Sequence, residues 1–245
     1  MDDATARYLN ALNQHFYDTH ADSFDATRAA AWAGWARLLP HLSLSAGMRV
    51  LDVGCGNGRF ARFLADHLGN GAFMYHGTDS SAALLDHARA SLVDLPDVTL
   101  EARDLILDPP PDAATDLIVL FGVLHHVPGV ARRLALIRDL SGRVAPGGML
   151  VFTAWRFADY ERFRAHMLPW TSIDAGFALA LEPGDHLLDW QRDASTPRYC
   201  HHIDDAEHDA LIAASGLMAI DDYRADGFDG AVNRYTVLYR PRNSA

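Results

Sequence analysis

The sequence predicts a doubly wound α/β fold on a seven-stranded, mostly parallel sheet with an antiparallel last strand. Two observations carry this. The stretch RVLDVGCGNG, Arg49 to Gly58, is an apolar run that ends in glycines at 54, 56 and 58 and passes straight into the helical periodicity of Arg59 to Leu68. Downstream, the apolar runs AFMYHGTD, VTLEA, DLIVLF and MLVFTAW alternate with helical stretches, as in parallel sheets with crossover helices. A helix from Asp204 to Ser215, a strand near Leu217 to Tyr223 and a final strand from Asn233 to Tyr239 complete the sheet, and no internal repeat interrupts it.

Composition narrows the function classes. A chain of 245 residues with 49% hydrophobic content and no long low-complexity tract suits one well-buried α/β domain over 1–245, with additions. No run approaches the ~18 uninterrupted apolar residues of a membrane span. The opening MDDATARYLN lacks a basic region followed by an apolar one, so a cytoplasmic protein without a membrane partner is expected. The formal charge of −11 argues against unaided adhesion to nucleic acid. Lys is absent, so every Lys-or-Arg cation is an arginine, the side chain suited to bidentate recognition of carboxylate or phosphate. Cys55 and Cys200 form neither a disulfide framework nor a zinc pattern.

The glycine loop departs from the dinucleotide pattern. Its spacing is G-x-G-x-G, Arg59 stands where G-x-G-x-x-G needs its third glycine, and Asp52 lies two residues before Gly54. Beside a pyrophosphate that carboxylate repels; beside an ammonium or sulfonium it attracts. S-adenosylmethionine carries both cations and no phosphate. The motif of Asp52, Gly54, Gly56 and Gly58 resembles the first motif of the class I S-adenosylmethionine-dependent methyltransferases, and the cofactor this resemblance implies is S-adenosyl-L-methionine. The alternative is a tight turn whose glycines serve packing only.

Taken in order, the chain supplies candidates around that loop. From Ala4 to Trp35 the composition is helical, with Phe16, Tyr17 and Phe24 among charges. Asp22 or Ser23 is expected to cap a helix running through Trp32 and Trp35 to Leu39, ended by Pro40. Aromatics at such spacing suit a core, whereas the resemblance implies a helical lid over 1–40 with Tyr17, Arg28 and Trp32 against the cofactor. Asp79 ends the second strand, where a carboxylate accepts both ribose hydroxyls, an ordinary capping acid being the alternative. Ser80 and Ser81 are expected caps of a helix from Ala82 to Leu92, with Ser80 also against the cofactor. After VTLEA the family pattern places an acid against the adenine amino group, a position held by Asp104, next to Leu105; an exposed loop carboxylate is the alternative.

Phe121, Leu124, His125 and His126 follow the fourth strand and read as a wall for cofactor and substrate. The histidine pair lacks a third ligand at fixed spacing, so no metal is expected. A helix from Arg132 to Ser141, a turn at Pro146 to Gly148 and a fifth strand ending at Trp155 come next. Between 156 and 200 an insertion interrupts the pattern, with a helix expected from Tyr160 to Trp170 and a polar loop around EPGDHLLDW. Insertions at a strand's carboxyl end overlie the site, so this one is expected to carry substrate choice.

Three stretches, FYDTHADSFDATRAAAWAGW, GDHLLDW and RYCHHID, sharpen the match: they resemble the tRNA wobble-uridine carboxymethyl methyltransferases, which convert a carboxymethyl group to its methyl ester. The resemblance spans Leu9 to Tyr239. It implies that Arg28, His125, Trp155, Asp185, Trp190, Arg198, Tyr199 and His201 line the cofactor or substrate pocket, with Arg198, Asp185 and His201 as catalytic candidates and Trp155, Trp190 and Tyr199 against substrate. Asp189 and Cys200 stand where the family commonly shows proline and a second aromatic.

A carboxylate acceptor is already nucleophilic and a sulfonium methyl already activated, so the chemistry asks for alignment, exclusion of water and a cation to hold the acceptor. Arg198 or Arg28 suits that cation, with Asp185 expected to orient Arg198 or a neighbouring donor; a packing arginine is the alternative for Arg198. The expected acceptor is carboxymethyluridine of tRNA or a small acidic metabolite. Competing classes are a small-molecule O- or N-methyltransferase and a non-catalytic S-adenosylmethionine-binding regulator. No obligate activator subunit is expected, because the chain supplies its own aromatic lid.

Overall fold

The computed structural model describes residues 1–27, 30–42, 47–190 and 196–242. The main sheet consists of β1 (Met48–Val53), β2 (Phe73–Asp79), β3 (Val98–Ala102), β4 (Thr115–Leu120), β5 (Val144–Trp155), β9 (Met218–Ala225) and β10 (Asn233–Tyr239). Their order is β3-β2-β1-β4-β5-β10-β9, parallel except for β10, which runs antiparallel to both neighbours. The order reverses between β1 and β4, the place where open α/β sheets leave a crevice at their carboxyl ends. Val50, Leu51 and Val53 of β1 and Leu117 to Leu120 of β4 are buried, as central strands covered on both faces must be. One face packs on Trp35, Phe60, Phe63 and Leu64; the other packs on Leu136, Ile137, Leu140 and Leu211.

The helices α2 (Arg59–Leu68), α3 (Ala82–Ser91), α4 (Val130–Arg143) and α6 (Asp205–Ser215) fall where periodicity places them. Several expectations fail. α1 (Asp3–Ala26), capped by the Asp2 carboxylate accepting from Thr5 N at 2.8 Å, kinks at His20 (φ −113°, ψ 17°); the segment after the kink starts just before Asp22 and Ser23, which lie within it rather than capping it, and it ends at Ala26 instead of running on through Trp32. Trp35 to Leu39 belong to a separate 3-10 helix, Ala33–His41, with Pro40 in its last turn. Tertiary bonds set this break: Gly34 donates its N–H to Asp226 at 2.9 Å and accepts from the Tyr223 hydroxyl at 2.8 Å.

The Pro146–Gly148 segment is a bulge inside β5, where the register with β4 shifts between Thr115 and Leu117. Within the insertion, the expected Tyr160–Trp170 helix shrinks to α5 (Glu161–Arg164), and the expected loop is a strand. β6 (Met167–Leu168), β7 (Asp185–Asp189) and β8 (Pro197–His201) make a second, three-stranded antiparallel sheet. Pairing partners distant in sequence create these short strands, and local periodicity does not report them. No helix among the described residues is long and apolar enough to cross a membrane.

A buried ion network fastens the small sheet to the large one. Arg133 of α4 is fully buried, with Nε on Glu207 of α6 at 2.5 Å and a second nitrogen 3.3 Å from Glu182. Glu207 lies 2.8 Å from His201 Nε2, and Asp185 lies 2.7 Å from His201 Nδ1. Asp185 also accepts from the Tyr199 hydroxyl at 2.8 Å and from Glu182 N at 2.7 Å. Burial alone would raise Asp185 and Glu207; the hydrogen bonds from His201 and their other donors outweigh it, so Asp185 is held low and Glu207 falls to about 2. Burial and the nearby Arg133 disfavour a charged His201, yet the two carboxylates prevail and its pKa rises.

Linkage gives these shifts opposite pH windows. The His201 contribution is complete below the unfolded histidine value of ~6.5 and disappears as pH rises through the higher folded value; that of Glu207 is complete above ~4.3 and disappears as pH falls toward its folded value. We therefore expect His201→Gln to flatten the alkaline loss of stability between pH 6 and 9 while lowering stability at pH 6. Urea midpoints across that range decide it, and a variant with the parent's alkaline slope would remove His201 from the network's pH response.

Candidate active site

The crevice begins at the end of β1. Gly54, Gly56 and Gly58 all take positive φ, at +74°, +54° and +78°. A Cβ on Gly54 would stand 2.4 Å from Val123 Cγ2, so the loop closes against the β4 edge only with glycine there. Asp79 fixes the loop from the next strand: Oδ2 accepts from Gly56 N at 2.8 Å and Oδ1 from Ser81 N at 2.9 Å. Its pKa is raised by burial against the opposing effect of those N–H donors. Ser81, not Ser80, caps α3, accepting from Leu84 N at 3.3 Å; Ser80 lines the cavity instead. Asp52 is buried, accepts from the Tyr75 hydroxyl at 2.5 Å and is pushed up to about 7 by burial, with Asp79 adding to the rise.

A cavity of about 470 Å³ opens over the loop. Asp52, Gly54, Gly56 and Asp79 form its floor, and Asp104, Leu105, Phe121 and His125 its side. Tyr17 and Trp32 come from the lid, Trp155 from β5, and Trp190 and Arg198 from the insertion. Arg28 lies outside the described residues. Leu124 packs in the hydrophobic core behind the site rather than on the cavity wall. Asp185, Tyr199 and His201 also stay off the wall: their side chains form the buried network, and Asp185 pairs with His201, Tyr199 and Glu182 N rather than orienting Arg198.

Arg198 is 7% exposed, and its guanidinium carbon lies 5.2 Å from the ring centre of Phe16, 5.3 Å from Trp190 and 5.4 Å from Trp155. Among the described residues no carboxylate pairs with it, and its Nε is buried without a hydrogen-bond partner. Aromatic faces stabilise a cation without neutralising it, so the guanidinium brings an uncompensated positive charge to the cavity wall.

The lid contributes polar groups as well as rings. Asp104 accepts from Asn10 Nδ2 at 2.7 Å, Gln14 Nε2 at 2.8 Å and Ile106 N at 2.8 Å. Asn13 pairs both ways with the backbone of Tyr199, accepting its N–H at 2.8 Å and donating to its carbonyl at 3.1 Å. His126 contacts that carbonyl through Nδ1 at 3.0 Å and the Tyr17 hydroxyl through Nε2 at 2.7 Å. Tertiary structure also supplies the third metal-type ligand that sequence spacing lacked, because His125, His126 and Cys200 bring ligand atoms within 4.8 Å of one another. That donor set suits a metal poorly: both His126 nitrogens are engaged, and burial pushes the Cys200 thiol up to about 11.

Comparisons with known proteins place the domain and its fold. Residues 51–150 match a family described as a methyltransferase domain. The tRNA (carboxymethyluridine(34)-5-O)-methyltransferase of Arabidopsis thaliana is 30% identical over 165 residues, which cover 66% of this chain and 36% of that protein. The 27-O-demethylrifamycin SV methyltransferase of Amycolatopsis mediterranei is 37% identical over 172 residues, covering 66% of this chain and 62% of that protein. The chain thus spans about a third of the plant relative's length. In fold, the structure of magnesium protoporphyrin IX methyltransferase from Synechocystis, solved with bound S-adenosylhomocysteine, superposes with a TM-score of 0.65 at 16% identity, over 97% of this chain and all of that one.

Sequence reasoning missed several cavity residues: Asn10, Asn13 and Gln14 of α1, Arg59 of α2, and Asp226. Arg59 was legible, since it directly follows the loop; the others meet the site only through tertiary docking. Asp226 is non-glycine at φ +65°, held there by Gly34 N, Asn233 Nδ2 and the Tyr235 hydroxyl at 2.9, 2.9 and 2.6 Å. It fixes the distal part of the lid to β10. A Cβ on Gly34 would lie 2.5 Å from the Tyr235 ring, which is stacked on Tyr223 at 4.9 Å and cannot retreat easily. Gly34→Ala is expected to lower unfolding free energy by ~1–3 kcal/mol. An unchanged denaturation midpoint would show that the lid accommodates the methyl group.

Proposed function

We propose that this chain, which carries an S-adenosylmethionine-dependent methyltransferase domain, transfers the methyl group to a carboxylate oxygen and forms a methyl ester. The observation that carries the acceptor class is Arg198, a buried cation without a carboxylate partner among the described residues, on the cavity wall within a ring of aromatic side chains. The lining also suits the cosubstrate, with Asp79, Asp104 and Asp52 on the cavity wall as candidates to receive its ribose, its adenine amino group and its cationic end. The plant relative's name specifies a carboxymethyl group, which is consistent with a carboxylate acceptor.

S-adenosylmethionine supplies an activated methyl group, and its transfer to a carboxylate oxygen cancels the charges of both reactants. Arg198 orients the acceptor, and its fixed charge needs no proton to be moved. Phe16, Trp155 and Trp190 exclude water around it, which strengthens the ion pair. With a carboxylate acceptor no general base is needed, consistent with Asp185 and His201 serving the architecture. The formal charge of −11 favours a small acid over unaided capture of a polynucleotide.

Arg198→Ala is expected to lower kcat/KM for carboxylate acceptors by ~10²-fold while S-adenosylhomocysteine affinity stays nearly unchanged, with Arg198→Lys recovering only part. The assay is transfer of labelled methyl to di- and tricarboxylates and to tRNA bearing carboxymethyluridine, scored as base-labile ester. Parent-level transfer by the Ala variant, or a base-stable product, would overturn the carboxylate reading.

We also propose that no activator subunit is required, because the chain's own α1 and aromatic residues cover the site. Expression of this chain alone should give monodisperse protein that binds S-adenosylhomocysteine. Aggregation relieved only by a co-expressed partner would contradict this.

A further inference from the structure

We infer that Arg59 holds the α-carboxylate at the methionine end of the cosubstrate, a role no motif assigns to it; the inference rests on the S-adenosylmethionine site proposed above. Arg59 opens α2 directly after the glycine loop, lines the cavity and lies over Trp32 and Trp35, its guanidinium carbon 5.0 and 5.4 Å from their ring centres. Its one hydrogen bond is to the Ala30 carbonyl at 3.3 Å, and among the described residues no carboxylate forms an ion pair with it.

Two acids of the cavity wall whose charge acts on Arg59 are committed elsewhere. Asp52 takes the Tyr75 hydroxyl, and Asp226 takes Gly34 N, Asn233 and Tyr235. A half-buried guanidinium that has a carbonyl and two aromatic faces but no counter-ion among the described residues is stabilised by an anion arriving beside it. Burial already lowers its pKa to about 10, which agrees with the geometry.

The cavity therefore carries two such cations, and their surroundings divide the anions between them. Arg198 sits on the insertion among Phe16, Trp155 and Trp190, whereas Arg59 sits on the cofactor loop against Trp32 and Trp35; no ring is shared. The cosubstrate has a single anionic group. With its ribose at Asp79, whose carboxylate holds Gly56 N, the other end of the cosubstrate has Arg59 available on the same cavity wall, and the position of Arg59 at the N-terminus of a ten-residue helix adds to the local preference for negative charge. An uncharged side chain here would leave the carboxylate without its cation.

The test uses two ligands that differ only in that group, S-adenosylhomocysteine and its decarboxylated analogue S-adenosyl-3-thiopropylamine, measured by calorimetry on the full chain. The parent is expected to prefer S-adenosylhomocysteine by ~10-fold or more, the gain of a charge-assisted pair. Arg59→Gln should erase most of that preference while leaving the analogue bound within ~3-fold of the parent, and Arg59→Lys should keep part of it. Retained binding of the analogue also shows that the variant is folded. Full discrimination in Arg59→Gln, or equal weakening of both ligands, would overturn the assignment. Failure of the parent to bind S-adenosylhomocysteine would overturn the cofactor reading itself.

Discussion

One side-chain amide, that of Asn13, joins the three parts from which the site is assembled. By accepting the N–H of Tyr199 and donating to its carbonyl, it acts as a short additional strand against β8, although it stands on a helix. The same residue touches His126 at the end of β4. The lid, the insertion and the catalytic edge of the sheet are thus referenced to one buried polar group. The pairing also satisfies the Tyr199 N–H, which would otherwise be buried unpaired at a cost of ~1–3 kcal/mol; the carbonyl has a second contact, with His126. Phe16, one turn further on, is placed by this contact beneath Arg198, and Tyr17 is placed against His126. The aromatic enclosure of the guanidinium is therefore a consequence of helix docking.

Charge inside the cavity is segregated rather than neutralised. Asp52 and Asp79 lie on the strand ends, fastened by Tyr75 and by backbone N–H groups, while Arg59 and Arg198 approach from other elements without ion-pair partners among the described residues. Such a layout is costly in an empty protein and suits a ligand set that brings both signs of charge. A dinucleotide, with its pyrophosphate, would meet Asp52 and Asp79 unfavourably.

The charged residues that do neutralise one another belong to the frame. Along β8 successive side chains alternate, so Arg198 reaches the cavity and Cys200, on the same face, packs with Phe157 and Leu188, while Tyr199 and His201 point the other way, beside Asp185 of β7. Three neighbouring candidates are thereby split between the cavity wall and the buried frame. The buried Arg133–Glu207–His201–Asp185 chain holds the small sheet against α4 and α6, which keeps Arg198 at a fixed height over the glycine loop. Substrate-side geometry is set by ion pairs that do not themselves touch the cavity.

The sequence by itself determined the sheet, the loop and their ligand class. Those features depend on local pattern: the apolar β1 and β4 runs, glycines at positions that require positive φ, and carboxylates at fixed distances after strands, as with Asp52 and Asp79. Only the tertiary structure decided the lid's break before Ala33, the antiparallel strands of the insertion, and the division of Arg198 from Asp185 and His201. Each of these rests on partners far away in the chain, Gly34 with Asp226, Asn13 with Tyr199, Asp185 with His201, and periodicity carries no information about a bond whose two ends fold from separate elements.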